Sequence, residues 1–348
     1  MMTDSTQELL LQHMRDTHID SASRLFMADE NVSQDVIAKV ANMMPVITNR
    51  AQLFNCIKHL GANHQFSDFD CSHIAMNSLD QIYYRTSKEK AVVHYIINLA
   101  ARLLKPEGRL ILAGEKQQGI QTYINKSAQV LGCMAEVKKD GPARIGVLHK
   151  LTVGELLDDS DYANLRPVVA IGSHTLFSKP GVYGWDKLDQ GSEFLASQLH
   201  TLAIKNKKVL DLGCGYGYLS AMAQALAPAS IDATDNNAAT IVACSRNFVL
   251  CEINGKVSAD DIGSQLTPGY DVIVCNPPFH LGFEIERNLS DRFLAASARL
   301  LARTGQAIFV INSFIPLEKI AASYFEKVAV IADNKRYKVI LLEKSRKR

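Results

Sequence analysis

The sequence predicts an α/β protein made of two tandem Rossmann-like domains that arose by duplication, with a degenerate N-terminal copy. In the second half, short apolar segments typical of buried strands alternate with helical segments. The first half repeats part of that pattern, and a glycine-rich turn follows a strand only in the second half. Alternating strands and helices are typical of a mostly parallel sheet with helices on both faces.

The second half begins with a strand, a glycine-rich turn and a helix, followed by a strand that ends in an acid, which together form a β-turn-α-β unit. Two segments around the turn 334–336 predict a terminal antiparallel hairpin. The predicted strands are 208–212, 231–234, 256–259, 270–275, 306–311, 327–333 and 337–342, and the later helices are 237–250 and 291–301.

The first half contains a weaker copy of this order. Segment 99–112 aligns with 296–309, so that Ala-Arg-Leu-Leu and a following glycine recur 197 residues later. Segment 80–84 likewise resembles 271–275. Coincidence is the alternative, because a helix, a tight turn and a strand follow one another in many α/β proteins. We predict a degenerate domain over 1–160, a linker and loop over 161–192, and a catalytic domain over 193–348.

Composition limits the class of protein. The 348 residues are 47% hydrophobic and provide enough chain for two cores. Seven cysteines without a CxxC pair argue against a disulfide framework or a zinc cluster. The N-terminus lacks a basic and then apolar signal pattern, and no apolar run approaches a membrane span. We therefore expect a cytoplasmic protein, without a metal and without a membrane partner.

Charge separates the two halves slightly. Residues 1–164 carry 17 Lys and Arg against 19 Asp and Glu, whereas residues 165–348 carry 21 against 17. The net charges are therefore −2 and +4. An excess this small fits an RNA-binding surface, and it fits an ordinary solvated surface equally well.

The turn Asp211–Gly217 lies between a strand and a helix. Gly213, Gly215 and Gly217 allow the backbone to pass close to a ligand without a Cβ clash. A nicotinamide dinucleotide site is one alternative, but its fingerprint requires Gly or Ala where this chain has Tyr218. A tight turn without a ligand is the other.

Acidic residues at three strand ends favour S-adenosylmethionine as the ligand of this turn. Asp211 is placed to meet the ammonium group of a methionine moiety. Asp235, 20 residues after Gly215, is placed to accept both ribose hydroxyls. Asp260 or Asp261, after the third strand, is placed to contact the adenine amino group, and the sequence leaves that choice open.

The tetrapeptide Asn276-Pro277-Pro278-Phe279 follows the fourth strand of the second half, at the same sheet edge as the glycine turn. A plain turn is the alternative. An exocyclic base amino group is a poor nucleophile, because its lone pair is delocalised into the ring. Neutral oxygens of Asn276 and Pro277 can accept its two N–H groups and so localise that lone pair.

The prolines restrict the backbone around these oxygens, and oxygens placed beforehand stabilise the positive charge that develops on nitrogen. Phe279 can stack on a base that is turned out of its helix or loop. His280 is more simply explained as a solvent-facing or hydrogen-bonded histidine.

With these motifs, the chain closely resembles the bacterial small-subunit ribosomal RNA guanine-N2 methyltransferases of the RsmC type. The resemblance covers nearly the whole length, including 180–183, 188–192, 211–215 and 276–280. It implies class I methyltransferase folds in both halves with a functional site only in the second, S-adenosylmethionine as methyl donor, and N2 of one guanosine as acceptor. Carried over by position, the cofactor contacts are Asp211, Gly213, Gly215, Gly217, Asp235, Asp260 or Asp261, and Asn276, and the catalytic set is Asn276, Pro277, Pro278 and Phe279.

The resemblance further implies small-subunit ribosomal RNA or the small ribosomal subunit as partner, with an N-terminal half that supports folding and docks RNA. We expect a monomer. One alternative keeps the enzyme class but changes the acceptor to adenine N6 or a glutamine side chain, because the same tetrapeptide serves those reactions. Another is a non-catalytic RNA-binding assembly factor, and a third is a nicotinamide dehydrogenase.

Overall fold

A computed structural model describes residues 4–17, 22–278 and 283–346. The chain forms two compact units that divide between Ala163 and Asn164. Each unit has its own seven-stranded sheet. Of the helices within the described ranges, none is both long enough and apolar enough to cross a membrane.

In the first unit strands and helices mostly alternate up to the final hairpin, and β4 follows β3 without an intervening helix. Its strands are Arg24–Ala28 (β1), Val46–Thr48 (β2), Gln65–Phe66 (β3), Leu79–Arg85 (β4), Leu104–Glu115 (β5), Glu136–Asp140 (β6) and Ala143–His149 (β7). Its helices are Ser5–Asp16 (α1), Gln34–Ala41 (α2), Ala51–Ile57 (α3), Lys90–Leu103 (α4) and Ile120–Leu131 (α5).

The second unit begins with a separate two-stranded hairpin, Arg166–Ile171 (β8) and His174–Ser178 (β9). Its main sheet contains Lys208–Leu212 (β10), Ser230–Asp235 (β11), Val257–Ala259 (β12), Tyr270–Cys275 (β13), Leu301–Asn312 (β14), Phe325–Asp333 (β15) and Tyr337–Ser345 (β16). Its helices are Gln190–Ala196 (α6), Tyr218–Gln224 (α7), Ala238–Leu250 (α8), Phe283–Leu300 (α9) and Leu317–Ala321 (α10).

The two sheets have the same strand order, which confirms the predicted duplication. The first is β3-β2-β1-β4-β5-β7-β6 and the second is β12-β11-β10-β13-β14-β16-β15. In both, the five leading strands are parallel, and the last two strands form an antiparallel hairpin on one flank. The hairpin predicted at the C-terminus is therefore present.

Residues that recur in the sequence have the same structural role in both units. The carboxylate of Asp80 accepts the backbone N–H of Ser23 at 2.7 Å, and the carboxylate of Asp271 accepts that of Lys208 at 2.9 Å. A Cβ at Gly108 would lie 3.0 Å from the carbonyl oxygen of Leu79, and one at Gly305 would lie 2.8 Å from that of Tyr270, the equivalent residue on the neighbouring strand. The repeated aspartates tie two strands together, and the repeated glycines permit a close backbone contact.

Both faces of the central strands of the second sheet are buried, as expected for strands covered by helices on both sides. Alternate residues of each strand point to opposite faces. One core cluster therefore includes Val209, Val272 and Val274, whereas the other includes Leu210 and Ile273. The parallel strands β10, β11 and β13 bring their carboxyl ends to one edge of this sheet.

Some element limits differ from the prediction. Strand β14 begins at Leu301 rather than 306, because a register irregularity opposite Tyr270 and Val272 lets the strand continue past Gly305. Helix α9 begins at Phe283 rather than 291.

The segment expected to be a linker and loop over 161–192 lies within the second unit from Asn164 onward. The side chain of Asn247 in α8 accepts the N–H of Phe177 and donates to its carbonyl oxygen, each at 2.8 Å. Leu176 and Val182 are buried in the core of the second unit. The segment packs against helix α8 because its apolar side chains reach that core, a contact that its Gly- and Pro-rich composition did not indicate.

Candidate active site

The glycine turn after β10 holds three residues in the left-handed region, with φ of 79° at Gly213, 53° at Gly215 and 86° at Gly217. A Cβ at Gly217 would lie 2.9 Å from Sγ of Cys244, so this glycine is required by the packing of helix α8. A Cβ at Gly215 would meet nothing within 4 Å. Gly215 thus borders open space, as a ligand-binding turn requires.

Asp211 lies under this turn and is fully buried. Its Oδ2 accepts hydrogen bonds from the backbone N and the Oγ of Ser220, at 3.0 and 2.7 Å. Its Oδ1 is buried and accepts no hydrogen bond from the described residues. Burial raises the pKa of Asp211 to about 7, and the nearby Asp235 carboxylate contributes in the same direction. A buried carboxylate oxygen without a partner is suited to a cationic ligand group, such as an ammonium.

Asp235, at the end of β11, lies beside the turn. Its Oδ2 accepts the N–H of Gly215 at 3.3 Å, and its Oδ1 accepts the N–H of Asn237 at 3.0 Å. The side chain of Asn237 in turn donates to the carbonyl oxygen of Gly181 at 2.7 Å. The structure therefore brings Asp211, Asp235 and the glycine turn together at one sheet edge.

The two acids after β12 have different surroundings. Asp260 is buried, and its oxygens accept hydrogen bonds from Oγ of Ser264 at 2.6 Å and from the N–H of Gln265 at 2.8 Å. Asp261 keeps 24% of its side chain exposed and pairs with Arg292 at 2.5 Å. Asp260 therefore stabilises the following turn, and Asp261 is the better candidate for a ligand contact.

Asn276 follows β13 at the same edge. Its Nδ2 donates to Oδ2 of Asp189 and to Oγ of Ser192, both at 2.8 Å. A carboxylate only accepts hydrogen bonds, so this arrangement determines which atom of the amide is nitrogen. Both amide hydrogens are used, and no described residue donates to Oδ1. The amide therefore presents a single available atom, which is a neutral acceptor.

Asp189 is held in turn by the start of helix α6. It is the N-cap of that helix, and its Oδ2 accepts the N–H of Ser192 at 2.8 Å. One carboxylate thus stabilises the helix start and orients the amide of Asn276. Neither Asp189 nor Ser192 was predicted from the sequence to have a role in the site. The available signal was the Asp-x-x-Ser spacing, which predicts a helix N-cap but gives no indication of a contact with Asn276.

Of the other residues in the tetrapeptide, Pro277 is buried and Pro278 is exposed. Phe279 and His280 lie outside the described residues. The stacking role expected for Phe279 stays a prediction.

The equivalent edge of the first unit is filled by its own side chains. Tyr84 donates to the buried Asp29 at 2.7 Å and accepts the N–H of Ser87 at 3.1 Å. Arg50 pairs with Glu30 at 2.6 Å. Burial raises the pKa of Asp29 to about 7, as it does for Asp211. Side chains rather than glycines follow strand β1, so this copy lacks the backbone turn that a cofactor would need.

Two family models match the chain in series. The model "Methyltransferase small domain N-terminal" matches residues 10–162, and "Methyltransferase small domain" matches residues 173–341. The division between them coincides with the division between the two compact units. The second match contains all of the site residues described above.

Curated relatives and a solved structure match most of the chain. The "Ribosomal RNA small subunit methyltransferase C" of Shewanella oneidensis is 32% identical over 278 residues, which are 77% of this chain and 78% of the relative. The protein of the same name from Shewanella pealeana is 30% identical over 82% of this chain and 81% of its own.

A structure of the T. thermophilus 16S rRNA N2 G1207 methyltransferase, in complex with AdoMet and guanosine, superposes with a TM-score of 0.81 at 23% identity. The match covers 99% of this chain and 92% of that one. At this level of identity the likeness establishes the fold alone. That fold is the one of a two-domain methyltransferase, with one domain in each unit.

Proposed function

The chain belongs to the family of the ribosomal RNA small subunit methyltransferases C, and we propose that it transfers a methyl group from S-adenosylmethionine to N2 of a guanosine in 16S ribosomal RNA. The amide of Asn276 is the observation that carries this proposal. Its Oδ1 is a neutral hydrogen-bond acceptor at the same sheet edge as the glycine turn, where Oδ1 of Asp211 is buried and has no partner among the described residues. Those are the two parts that methylation of a base amino group requires.

The residues present fit the cofactor. Asp211 would pair through Oδ1 with the ammonium of its methionine portion, and the turn at Gly213 and Gly215 would pass under it. Asp235 would accept the ribose hydroxyls, and Asp261 would accept the adenine amino group. When bound, S-adenosylmethionine would supply an electrophilic methyl group on a sulfonium, and breaking of the S–CH3 bond would leave S-adenosylhomocysteine, a neutral thioether.

The protein's contribution to the reaction is to orient and activate the guanine amino group. Oδ1 of Asn276 accepts one of its N–H groups, and the carbonyl oxygen of Pro277 accepts the other. The nitrogen lone pair is then directed out of the ring plane, toward the methyl group. As the new N–C bond forms, positive charge on the nitrogen is stabilised by the same two oxygens, and one proton leaves to solvent.

The rigidity of these acceptors matters as much as their position. Asp189 and Ser192 hold the amide of Asn276 before substrate arrives, so no reorientation is needed during the reaction. Pro277 and Pro278 restrict the backbone that carries the second oxygen. Phe279 would stack on the flipped guanine.

The decisive experiment is transfer of labelled methyl from S-adenosylmethionine to small ribosomal subunits and to their naked RNA, followed by nucleoside analysis. We expect N2-methylguanosine. Label on adenine or on a protein glutamine would contradict the acceptor, and cofactor binding without any transfer to either substrate would favour a non-catalytic assembly factor. Asn276→Ala should bind cofactor and lose all but a residual rate of methyl transfer.

The assembled subunit is our proposed substrate, and the comparison with naked RNA tests it. We propose that the first unit supports folding and docks RNA, because its own cofactor edge is filled by side chains such as Tyr84 and Asp29. The cytoplasmic location, the monomeric state and the lack of a metal stay predictions.

A further inference from the structure

An open groove lies between the start of helix α6 and the turn that joins β15 to β16. Its volume is about 360 Å³, and its lining includes Gln190, Glu193, Phe194, Asn334, Arg336 and Tyr337. The second unit contributes all of these residues. This volume is in the range of known ligand pockets. We call it the turn groove.

The turn groove adjoins the amide of Asn276. A Cβ built on Gly191 in helix α6 would lie 3.4 Å from Cε1 of Tyr337 and 3.6 Å from Nδ2 of Asn276. A single glycine therefore separates the groove from the proposed catalytic amide. A nucleotide chain whose guanine reaches Asn276 would have its neighbouring nucleotides within reach of the groove.

One cation, Arg336, lines the groove, and a second, Lys335, precedes it in a turn held by hydrogen bonds. Oδ1 of Asn334 accepts the N–H groups of Arg336 and Tyr337 at 3.1 and 2.7 Å, and Oδ1 of Asp333 accepts that of Lys335 at 2.7 Å. The guanidinium of Arg336 lies 5.2 Å from the ring centroid of Tyr337. It also donates to Oε1 of Gln190. These contacts position Arg336 between the turn and helix α6.

A large aromatic side chain is exposed next to the same turn. Phe314 follows strand β14 and is 75% exposed. The N–H of the preceding residue, Ser313, donates to the carbonyl oxygen of Arg336 at 3.0 Å, so Phe314 is anchored beside the cations. Exposed aromatics beside cations are the features with which proteins bind single-stranded nucleic acid.

We propose that the turn groove binds the single-stranded RNA that flanks the target guanosine. Lys335 and Arg336 contact phosphates, while Phe314 and Tyr337 stack on neighbouring bases. Glu193 is an acid in the lining, so the phosphates lie on the side of the turn rather than on that of α6. This inference rests on the proposed function, because it assumes that RNA is the substrate.

The test uses the full-length protein and a double variant, Lys335→Asn/Arg336→Gln, which removes both positive charges from the turn 334–336. We call it the turn variant. Asn tolerates the φ of 71° at position 335. The matched control is Lys205→Asn/Lys256→Gln, which neutralises two exposed lysines before β10 and β12, at the opposite edge of the same sheet. Initial rates of methyl transfer to small subunits give KM and kcat, and a labelled RNA oligonucleotide with one central guanosine gives affinity at several salt concentrations.

We expect the turn variant to raise KM for the subunit by about tenfold or more, with kcat and cofactor affinity unchanged. The affinity of the turn variant for the RNA oligonucleotide should depend less steeply on salt concentration, by the amount expected for the loss of about two phosphate contacts. Phe314→Ala should raise KM several-fold without changing the salt dependence, because stacking releases few counterions. The control should resemble the wild type.

Three results would overturn the proposal: an unchanged KM in the turn variant, an equal rise in the control, or a fall in kcat alone. In each of these the wild type still methylates RNA, so the proposed function survives. If instead the wild type transfers no methyl to any RNA, the proposed function itself has failed. The groove variants could instead methylate naked RNA normally and be defective only when a ribosomal protein is present. That result would assign the groove to a protein partner and would also contradict the proposal.

Discussion

Nδ2 of Asn276 donates a hydrogen bond to Oδ2 of Asp189 at 2.8 Å, although the two residues are 87 positions apart in the chain. This contact determines that the oxygen of the amide, rather than its nitrogen, is available to the substrate. Asp189 has no other place in the proposed chemistry. It acts through Asn276 and is therefore a positioning residue.

The first prediction tests that positioning. Asp189→Ala should lower kcat by about tenfold to a hundredfold, because a hydrogen bond to a charged group contributes about 1.5–3 kcal/mol. Cofactor affinity should not change. Asp189→Asn is the matched control, since its side-chain oxygen can still cap helix α6 and still accept from Asn276.

A double-mutant cycle distinguishes positioning from a general structural effect. In an Asn276→Ala background, Asp189→Ala should cost almost nothing further in kcat. Equal losses in both backgrounds would show that Asp189 does not act through the amide.

The second prediction concerns the identity of the side chain at 276. Asn276→Asp would place a second carboxylate next to Asp189, and two adjacent carboxylates do not ionise together readily. We expect a loss of about a hundredfold or more at pH 8, as for loss of a transition-state contact. A kcat close to that of the wild type would contradict this explanation.

The third prediction concerns Asp235. Asp235→Ala removes the proposed ribose contact and the hydrogen bond to Gly215, so it should weaken cofactor binding by at least about tenfold. Transfer at saturating cofactor should fall much less. Calorimetric titration with S-adenosylmethionine measures the first effect, and unchanged affinity would mean that the ribose lies elsewhere.

The fourth prediction separates the two acids after β12. Asp261→Ala should reduce cofactor affinity with little change in melting temperature, because Asp261 is partly exposed. Asp260→Ala should lower the melting temperature, because it removes the buried carboxylate that accepts hydrogen bonds from the N–H of Gln265 and the Oγ of Ser264 and so holds the turn. The opposite pattern would assign the adenine contact to Asp260.

The fifth prediction is a pH dependence from Asp211. Its pKa is raised to about 7, and its ionised form is the one that pairs with an ammonium. Cofactor affinity should therefore be nearly constant from pH 7.5 to 8.5 and fall by up to tenfold per pH unit below about 7. Titrations across this range measure it, and Asp211→Asn should bind weakly at every pH.

The raised pKa of Asp211 makes the stability of the folded protein fall as the pH rises, whereas cofactor affinity should increase. A carboxyl group whose pKa is higher in the folded protein stabilises the fold while it is protonated, and this contribution is lost as the pH rises through 7. At pH 8 without cofactor, Asp211→Asn should consequently melt at a higher temperature than the wild type. A lower melting temperature would show that the ionised carboxylate is well compensated by Ser220.

Much of the candidate site could be predicted because its signals are local. Asp211 and the three glycines lie within seven consecutive residues, and Asn276 follows a strand directly. In a parallel sheet the carboxyl ends of the strands share one edge, so residues at three strand ends come together without any further information. The duplication could be predicted too, since Gly108 and Gly305 are required by the same close backbone contact.

The sequence by itself thus determined the duplicated α/β fold and predicted the edge of the candidate site and the residues at its strand ends, because each depends on the order of residues along one strand and turn. Only the tertiary structure decided that Asp189 orients Asn276, that Asp260 is buried in its own turn while Asp261 is partly exposed and pairs with Arg292, and that Arg336 lies beside Gln190. These relationships join residues whose side chains meet through packing of separate elements, and no local pattern records which of them will be neighbours.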